Sequence, residues 1–358
     1  MNLYLIFVMS VVIALSYWLE EHTKWVAHIS GTVLIIIVAS ILSSSNIIPS
    51  SLVVYEPQFK WIVPLGIALM LLAFNPKDIL KINKDFIFCF SVGVVGTCVG
   101  GIVAGLIFKE YLPEDYWRIS AQLTGSFIGG YENAVSIGAG LNTPTPVFIN
   151  VFAGDSVLTT VYIIVNSIQG RKIKGGEEGA NKKCIKKENG LFDTTSTSIT
   201  IAVALSVVML SFYIYEHTQI APQILWVGIF ATLITFTSLR NRFSGSYIIG
   251  SMLLSYFIFG CGAISNVASL FNNLTVLILF PIIIVLIHAV ILFGTAKIFK
   301  IKKEIVIVAS QSLIGGPATA LALVSARKWD YQFEAVALGL LGYAVGNYFG
   351  FGIAWILK

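Results

Sequence analysis

Apolar runs separated by short polar breaks set the pattern of this chain. They fall at about 2–18, 26–42, 61–74, 86–108, 146–168, 197–214, 223–239, 246–260, 274–296 and 333–357. At 1.5 Å of helical rise per residue, about 20 apolar residues cross the roughly 30 Å of hydrocarbon in a bilayer. The runs therefore predict membrane-spanning helices, with 61–74 and 246–260 on the short side. Two further segments, 117–141 and 305–326, are interrupted by "GSFIGGYENA" (Gly125–Ala134) and "QSLIGGPATA" (Gln311–Ala320). With the Gly-Gly pairs superposed, Ser126 meets Ser312, Ile128 meets Ile314 and Ala134 meets Ala320. The shift of 186 positions that carries Gly129 onto Gly315 also carries loop 109–118 onto 295–304 and loop 75–85 onto 261–271. No short period appears, so the pattern predicts a duplicated bundle and not a solenoid.

Composition agrees with this. Hydrophobic residues make up 56% of the chain and charged ones 11%, with a mean hydropathy of +0.85. A soluble domain carries about 25% charged residues. The expected class is all-α: a polytopic helical membrane protein whose first partner is the lipid bilayer. Residues 1–168 and 197–358 form two membrane repeats, joined by a polar Gly/Lys linker at 169–196. The N-terminal stretch lacks a basic n-region and a small-residue cleavage site, so it reads as a retained span and not as a signal peptide. Cys89, Cys98, Cys184 and Cys261 show no CxxC spacing and no partnering His cluster. Neither a disulfide nor a metal site is expected.

The net charge of +5 reports topology more than partners, since the basic residues cluster in loops, and no nucleic-acid partner is expected. Arg171, Lys172, Lys174, Lys182, Lys183, Lys186 and Lys187 place the linker in the cytoplasm of a cell-membrane protein. If each Gly-Gly segment dips into the bilayer and returns, each half has about five crossings and the second half is inverted. Lys77, Lys81, Lys84, Arg240, Arg242, Lys297, Lys300, Lys302, Lys303, Arg327 and Lys328 then all fall inside, and both termini lie outside. If the segments cross fully, the repeats are parallel and Arg327 and Lys328 move outside. The inverted arrangement is the favoured expectation.

Within lipid, backbone leaves the helix only where protein or a wet cavity covers it. Paired breaks at corresponding positions of two halves point to a transporter's binding site. Half-helix N-termini attract anionic groups, and unwound carbonyls offer oxygen ligands to a cation. Gly129, Gly130, Gly315 and Gly316 supply the dihedrals and the close approach. Pro317 suits the first turn of the returning arm. Ser126, Asn133, Ser312, Thr319 and Asn347 are the polar substrate-binding candidates beside them. The competing reading is that the glycines only let helices pack closely.

Glu132 and Asp155 are the ion-coupling candidates. A carboxylate at membrane depth serves an ion pathway or pairs with a base, so either can bind Na⁺ or carry a proton. The alternatives are that Glu132 tips into an aqueous vestibule and that Asp155 bonds Ser156, Thr159 or Thr160 in helix packing. The counterpart of Glu132 is Ala318, so the site is asymmetric. His288 reads as an interhelical bond, and Asn75 with Pro76 as the end of a short span. No nucleophile elbow, HExxH, P-loop or Cys/His metal pattern is present, so an enzyme is not expected, nor is a cofactor beyond a coupling Na⁺ or H⁺.

The segments "TGSFIGGYENAVSI", "AGDSVLTTVY" and "GGPATALALVSARKW…LGLLGYAVGNYFG", in that order, resemble the YjcL-like membrane proteins, or domain of unknown function 819. More distantly, the layout is similar to the sodium-coupled glutamate and citrate carriers. That likeness implies inverted repeats, a Gly-Gly hairpin before the last helix of each half, and a mobile core moving against a scaffold, often in a homodimer. The leading functional expectation is an ion-coupled secondary transporter of a small anionic or zwitterionic organic solute, working by alternating access at a midplane site. Two alternatives stay open: a cation/proton antiporter using Glu132 and Asp155, and a non-transporting membrane sensor or scaffold that docks partners through its basic linker.

Overall fold

The computed structural model describes residues 3–23, 31–171, 173, 193–243, 245–264 and 274–358. Among them all regular structure is helical. In the first half these are α1 (Leu3–His22), α2 (Gly31–Ser44) and α3 (Leu52–Pro57). A π-helical turn (Gln58–Ile62) then leads into α4 (Val63–Leu72), α5 (Pro76–Ile79), α6 (Lys84–Phe108), α7 (Tyr116–Ser126), α8 (Tyr131–Gly140) and α9 (Thr145–Gln169). The second half holds α10 (Thr194–Thr218), α11 (Gln223–Thr235), a 3₁₀ turn (Ser238–Arg242), α12 (Ser246–Ile264) and α13 (Leu274–Ile298). Last come α14 (Lys303–Ile314), α15 (Gly316–Arg327) and α16 (Gln332–Leu357). Seven of the described helices are long and apolar enough to span a bilayer, and two more apolar helices are shorter. The protein is a multi-pass membrane protein. Lys183, Cys184 and most of the linker lie outside the described residues.

Local signals set the helix ends. Asn83 caps α6 by accepting from the Asp85 amide at 3.0 Å, and Asn75 caps α5 through the Lys77 amide at 3.1 Å. Asp193 caps α10 at 3.1 Å from the Ser196 amide. That bond and the Ser196 hydroxyl hold its carboxyl below the usual range. In chain order the halves correspond: α1 with α10, α2 with α11, α4 with α12, α6 with α13, the α7–α8 pair with α14–α15, and α9 with α16.

The helices sort into two packed groups. One comprises α1–α4 and α10–α12, with a core around Met9, Ile35, Tyr55, Leu69, Val207 and Phe257. The other comprises α6–α9 and α13–α16, built around Phe86, Leu292, Leu313 and Leu338 and around Phe108, Leu123, Phe127 and Phe280. Small residues bring two of its long helices, α6 and α13, together. A side chain at Gly100 would meet the Ile284 carbonyl at 2.7 Å, and one at Gly96 would meet the His288 backbone at 3.1 Å. His288 bonds Thr97 at 2.9 Å, the Gly93 carbonyl at 3.0 Å and Ser310 at 2.8 Å, the interhelical role its sequence setting predicts. Val95, Leu286, Val290 and Trp355 are exposed along these helices, as a lipid-facing surface requires.

Candidate functional site

Helix α7 stops at Ser126, and α8 starts only at Tyr131. Between them Gly129 and Gly130 take φ of +131° and +144°, which residues with a side chain rarely adopt. The chain then folds back. A Cβ at Gly125 would meet the Ile137 side chain, and Gln122 Nε2 donates to Thr143 at 3.1 Å. The second segment breaks between α14 and α15, where Gly316 has φ +70°. Here Gln311 reaches over the break and donates to Thr319 at 2.9 Å.

The two breaks touch. The Gly129 amide donates to the Leu313 carbonyl at 2.8 Å, and a side chain at Gly316 would strike the Gly129 carbonyl oxygen. Each break is also flanked by the last helix of the other half. Gly342 and Gly346 of α16 lie against Gly129 and the Ile128 carbonyl. Thr159 of α9 faces the Ile314 carbonyl at 3.4 Å.

Beside this junction is a cavity of about 440 Å³. Of the binding and ion-coupling candidates from the sequence, Gly130, Glu132, Asp155, Gly315 and Thr319 line it, together with Ser156, Thr159 and Thr160 and with Ala318, the counterpart of Glu132. Ser126 reaches it through Asp155, donating to Oδ1 at 2.9 Å. That bond to Ser126 stands where hydroxyls of its own helix were the alternative for Asp155. Tyr343 donates to Glu132 Oε1 at 3.1 Å, while Glu132 Oε2 is buried and has no hydrogen-bond partner among the described residues.

The other candidates lie deeper. Asn133 turns away from the cavity, its Nδ2 facing the carbonyls of Gly125 and Ile128 at 3.2 Å and of Gly342 at 3.1 Å. It clamps the unwound backbone of the first break onto α16. Asn133 and Asn347 also border a narrow crevice along α4, with Ile67, Met70 and Leu71 and with Glu132 and Tyr343, which line the cavity as well. Gly129 and Gly316 sit in the backbone contact between the two breaks. Ser312 points elsewhere: its hydroxyl donates to the Val308 carbonyl at 2.9 Å and faces that of Ala335 at 3.1 Å.

Sequence reasoning missed the opposite wall. Tyr17 of α1, Thr32 of α2 and Tyr247 and Ser251 of α12 close the cavity from the other helix group, and Tyr131 and Tyr343 complete it. Local signals lay only at Tyr131, inside "GSFIGGYENA", and at Tyr343, within the Gly-spaced "GYAVGNYFG" that drew attention to Asn347.

With this geometry in hand, two comparisons bear on identity. Residues 6–358 match the family described as protein of unknown function (DUF819). The chain is also 26% identical, over 365 residues, to the "Uncharacterized membrane protein YjcL" of Bacillus subtilis (strain 168), covering 94% of this chain and 92% of that relative.

Proposed function

This chain belongs to the DUF819 family, and from that premise we propose that it is an ion-coupled secondary transporter of a small organic solute. The observation that carries the reading is the meeting of two broken helices at a cavity holding two buried carboxylates, Glu132 and Asp155. Such a cavity suits a site served by each side of the membrane in turn. Unwound carbonyls and carboxylates supply hard oxygen ligands for Na⁺ or an acceptor for H⁺. The N-termini of α8 and α15 supply the dipole ends for an anionic group.

In this reading the broken segments are re-entrant hairpins and the repeats are inverted, in a cell membrane with 169–196 cytoplasmic. Contacts at the segment ends support it. Phe88 stacks edge-on to Phe299, and Phe86 to Tyr331, so both ends of the second segment flank the start of α6. The first segment begins at the far end of α6, where Tyr116 donates to the Leu357 carbonyl at 2.5 Å. Hairpins entering from opposite faces and meeting at their tips give this pattern. The likeness to sodium-coupled glutamate and citrate carriers belongs to the same proposal.

The test is uptake into right-side-out proteoliposomes of organic acids, amino acids and amines, with and without imposed Na⁺ or pH gradients. Uptake driven by one gradient is the expected result, and uptake indifferent to every gradient removes the coupling. One feature favours a second reading, cation/proton antiport: among the described residues no basic side chain lines the cavity. A pH-sensitive dye in the lumen separates the two, since an antiporter moves protons on addition of Na⁺ or K⁺ with no organic solute present.

A further inference from the structure

We propose that the solute carries an ammonium group and that Glu132 with the surrounding tyrosines is its receptor, leaving Asp155 for the coupling ion. The proposal rests on the transport reading and divides the work of the two carboxylates within it. Four phenol rings, of Tyr17, Tyr131, Tyr247 and Tyr343, line the same cavity as Glu132 and Asp155. The faces of aromatic rings attract cations, and a desolvated cage of rings is the recurrent receptor for alkylammonium groups.

The placement of Glu132 fits this role. Its Oε1 is fixed by the Tyr343 hydroxyl, which in turn lies 3.3 Å from the Tyr247 hydroxyl, and the two rings stack with centroids 6.1 Å apart. Glu132 is 6% exposed and its Oε2 has no hydrogen-bond partner among the described residues. A buried carboxylate oxygen without a donor, on a side chain that lines a cavity with no basic side chain among the described residues, is an acceptor awaiting a donor, and an ammonium supplies both the donors and the countercharge. Asp155 differs. It is held by Ser126 and neighboured by Ser156 and Thr159, a set of small oxygen donors without an aromatic ring among them. That chemistry suits a compact ion such as Na⁺.

The experiment is direct binding to the purified full-length chain in detergent, in sodium-free potassium buffer. It compares choline with its neutral isostere 3,3-dimethylbutan-1-ol, and n-butylammonium with 1-pentanol. At least one ammonium should bind about 30-fold tighter than its neutral partner, the factor expected of a desolvated cation–π site. Glu132→Gln should lower that ratio at least fivefold, and Asp155→Asn should lower it by a smaller factor. If Glu132→Gln does not fold, Tyr247 serves instead: Tyr247→Phe keeps the ring and should keep the preference, and Tyr247→Leu should lower it several-fold. Equal binding of both charged and neutral partners overturns the proposal, as does an ammonium preference that survives Glu132→Gln and Tyr247→Leu. Because the readout is binding, an absence of uptake in vesicles refutes transport without touching it. Gradient-driven uptake of acids alone, with no preference for ammonium, refutes this proposal and leaves transport standing.

Discussion

At the scale of single residues, the junction depends on positions where one atom more or less changes the backbone. Gly130, beside the cavity, is one such case. A Cβ there would come 2.6 Å from Glu132 Oε2 and 2.9 Å from the Tyr343 ring, at a φ that side chains rarely adopt. Gly130→Leu should therefore reduce transport per folded molecule by more than tenfold while the protein still inserts and purifies; specific activity equal to the native protein's would mean the glycine serves packing alone. Asn133→Ala is expected to act differently. It takes the Nδ2 donor from the carbonyls of Gly125, Ile128 and Gly342; Gly125 keeps the Ile128 amide at 3.1 Å and Gly342 lies inside α16, so the Ile128 carbonyl carries the cost, about 1–3 kcal/mol for an unsatisfied buried group. A lowered melting temperature in detergent, larger than that of Asn347→Ala, is the outcome to look for. The sequence pointed to both residues but not to this division. An Asn beside a Gly-Gly pair reads equally as ligand or clamp, and only the three carbonyls around Nδ2 separate the two.

At the scale of elements, the side of the membrane on which α15 ends decides between hairpin and crossing. The Arg327 guanidinium donates to the Ser167 hydroxyl, and a side chain at Gly170 would meet the Trp329 ring at 2.8 Å. The end of α15 and the end of α9 thus share a face, the one from which the basic linker departs. Cysteines placed at Lys183 and Arg327, in a background without the native cysteines, should both resist an impermeant thiol reagent in intact cells. Labelling at 327 from outside would rule out the hairpin. Much of this level was readable beforehand, because spans announce themselves by length and apolarity. The tyrosine wall was not. Residues 17, 131, 247 and 343 share no spacing, and tyrosines in such helices equally mark membrane interfaces, so nothing local distinguishes a cavity wall.

At the scale of the whole molecule, the cavity lies between two helix groups, with Tyr17 and Tyr247 on one side and Glu132 and Asp155 on the other. Removing the basic linker tests whether function resides in this core. Replacing residues 174–190 with a Gly/Ser tether of equal length should leave gradient-driven uptake within about twofold of native, because a flexible chain of that kind preserves reach without contributing contacts. Complete loss of function with intact folding would favour the docking-scaffold reading. Uptake should also be more sensitive to changes at the group boundary than on lipid-facing surfaces. Tyr247→Leu serves as the boundary probe, and Val290→Leu, at a position 73% exposed, as its control.

The bond from the Gly129 amide to the Leu313 carbonyl also has a mechanical consequence. Two tips tied backbone to backbone behave as one kinematic link and translate or rotate together. Parting them would strand an amide and a carbonyl in a medium with little water to replace either. In the proposed transport cycle the joined tips would glide together along the wall formed by α1, α2 and α12. Under the transport reading, passage is gated by the travel of a single carriage, with no pair of doors to open.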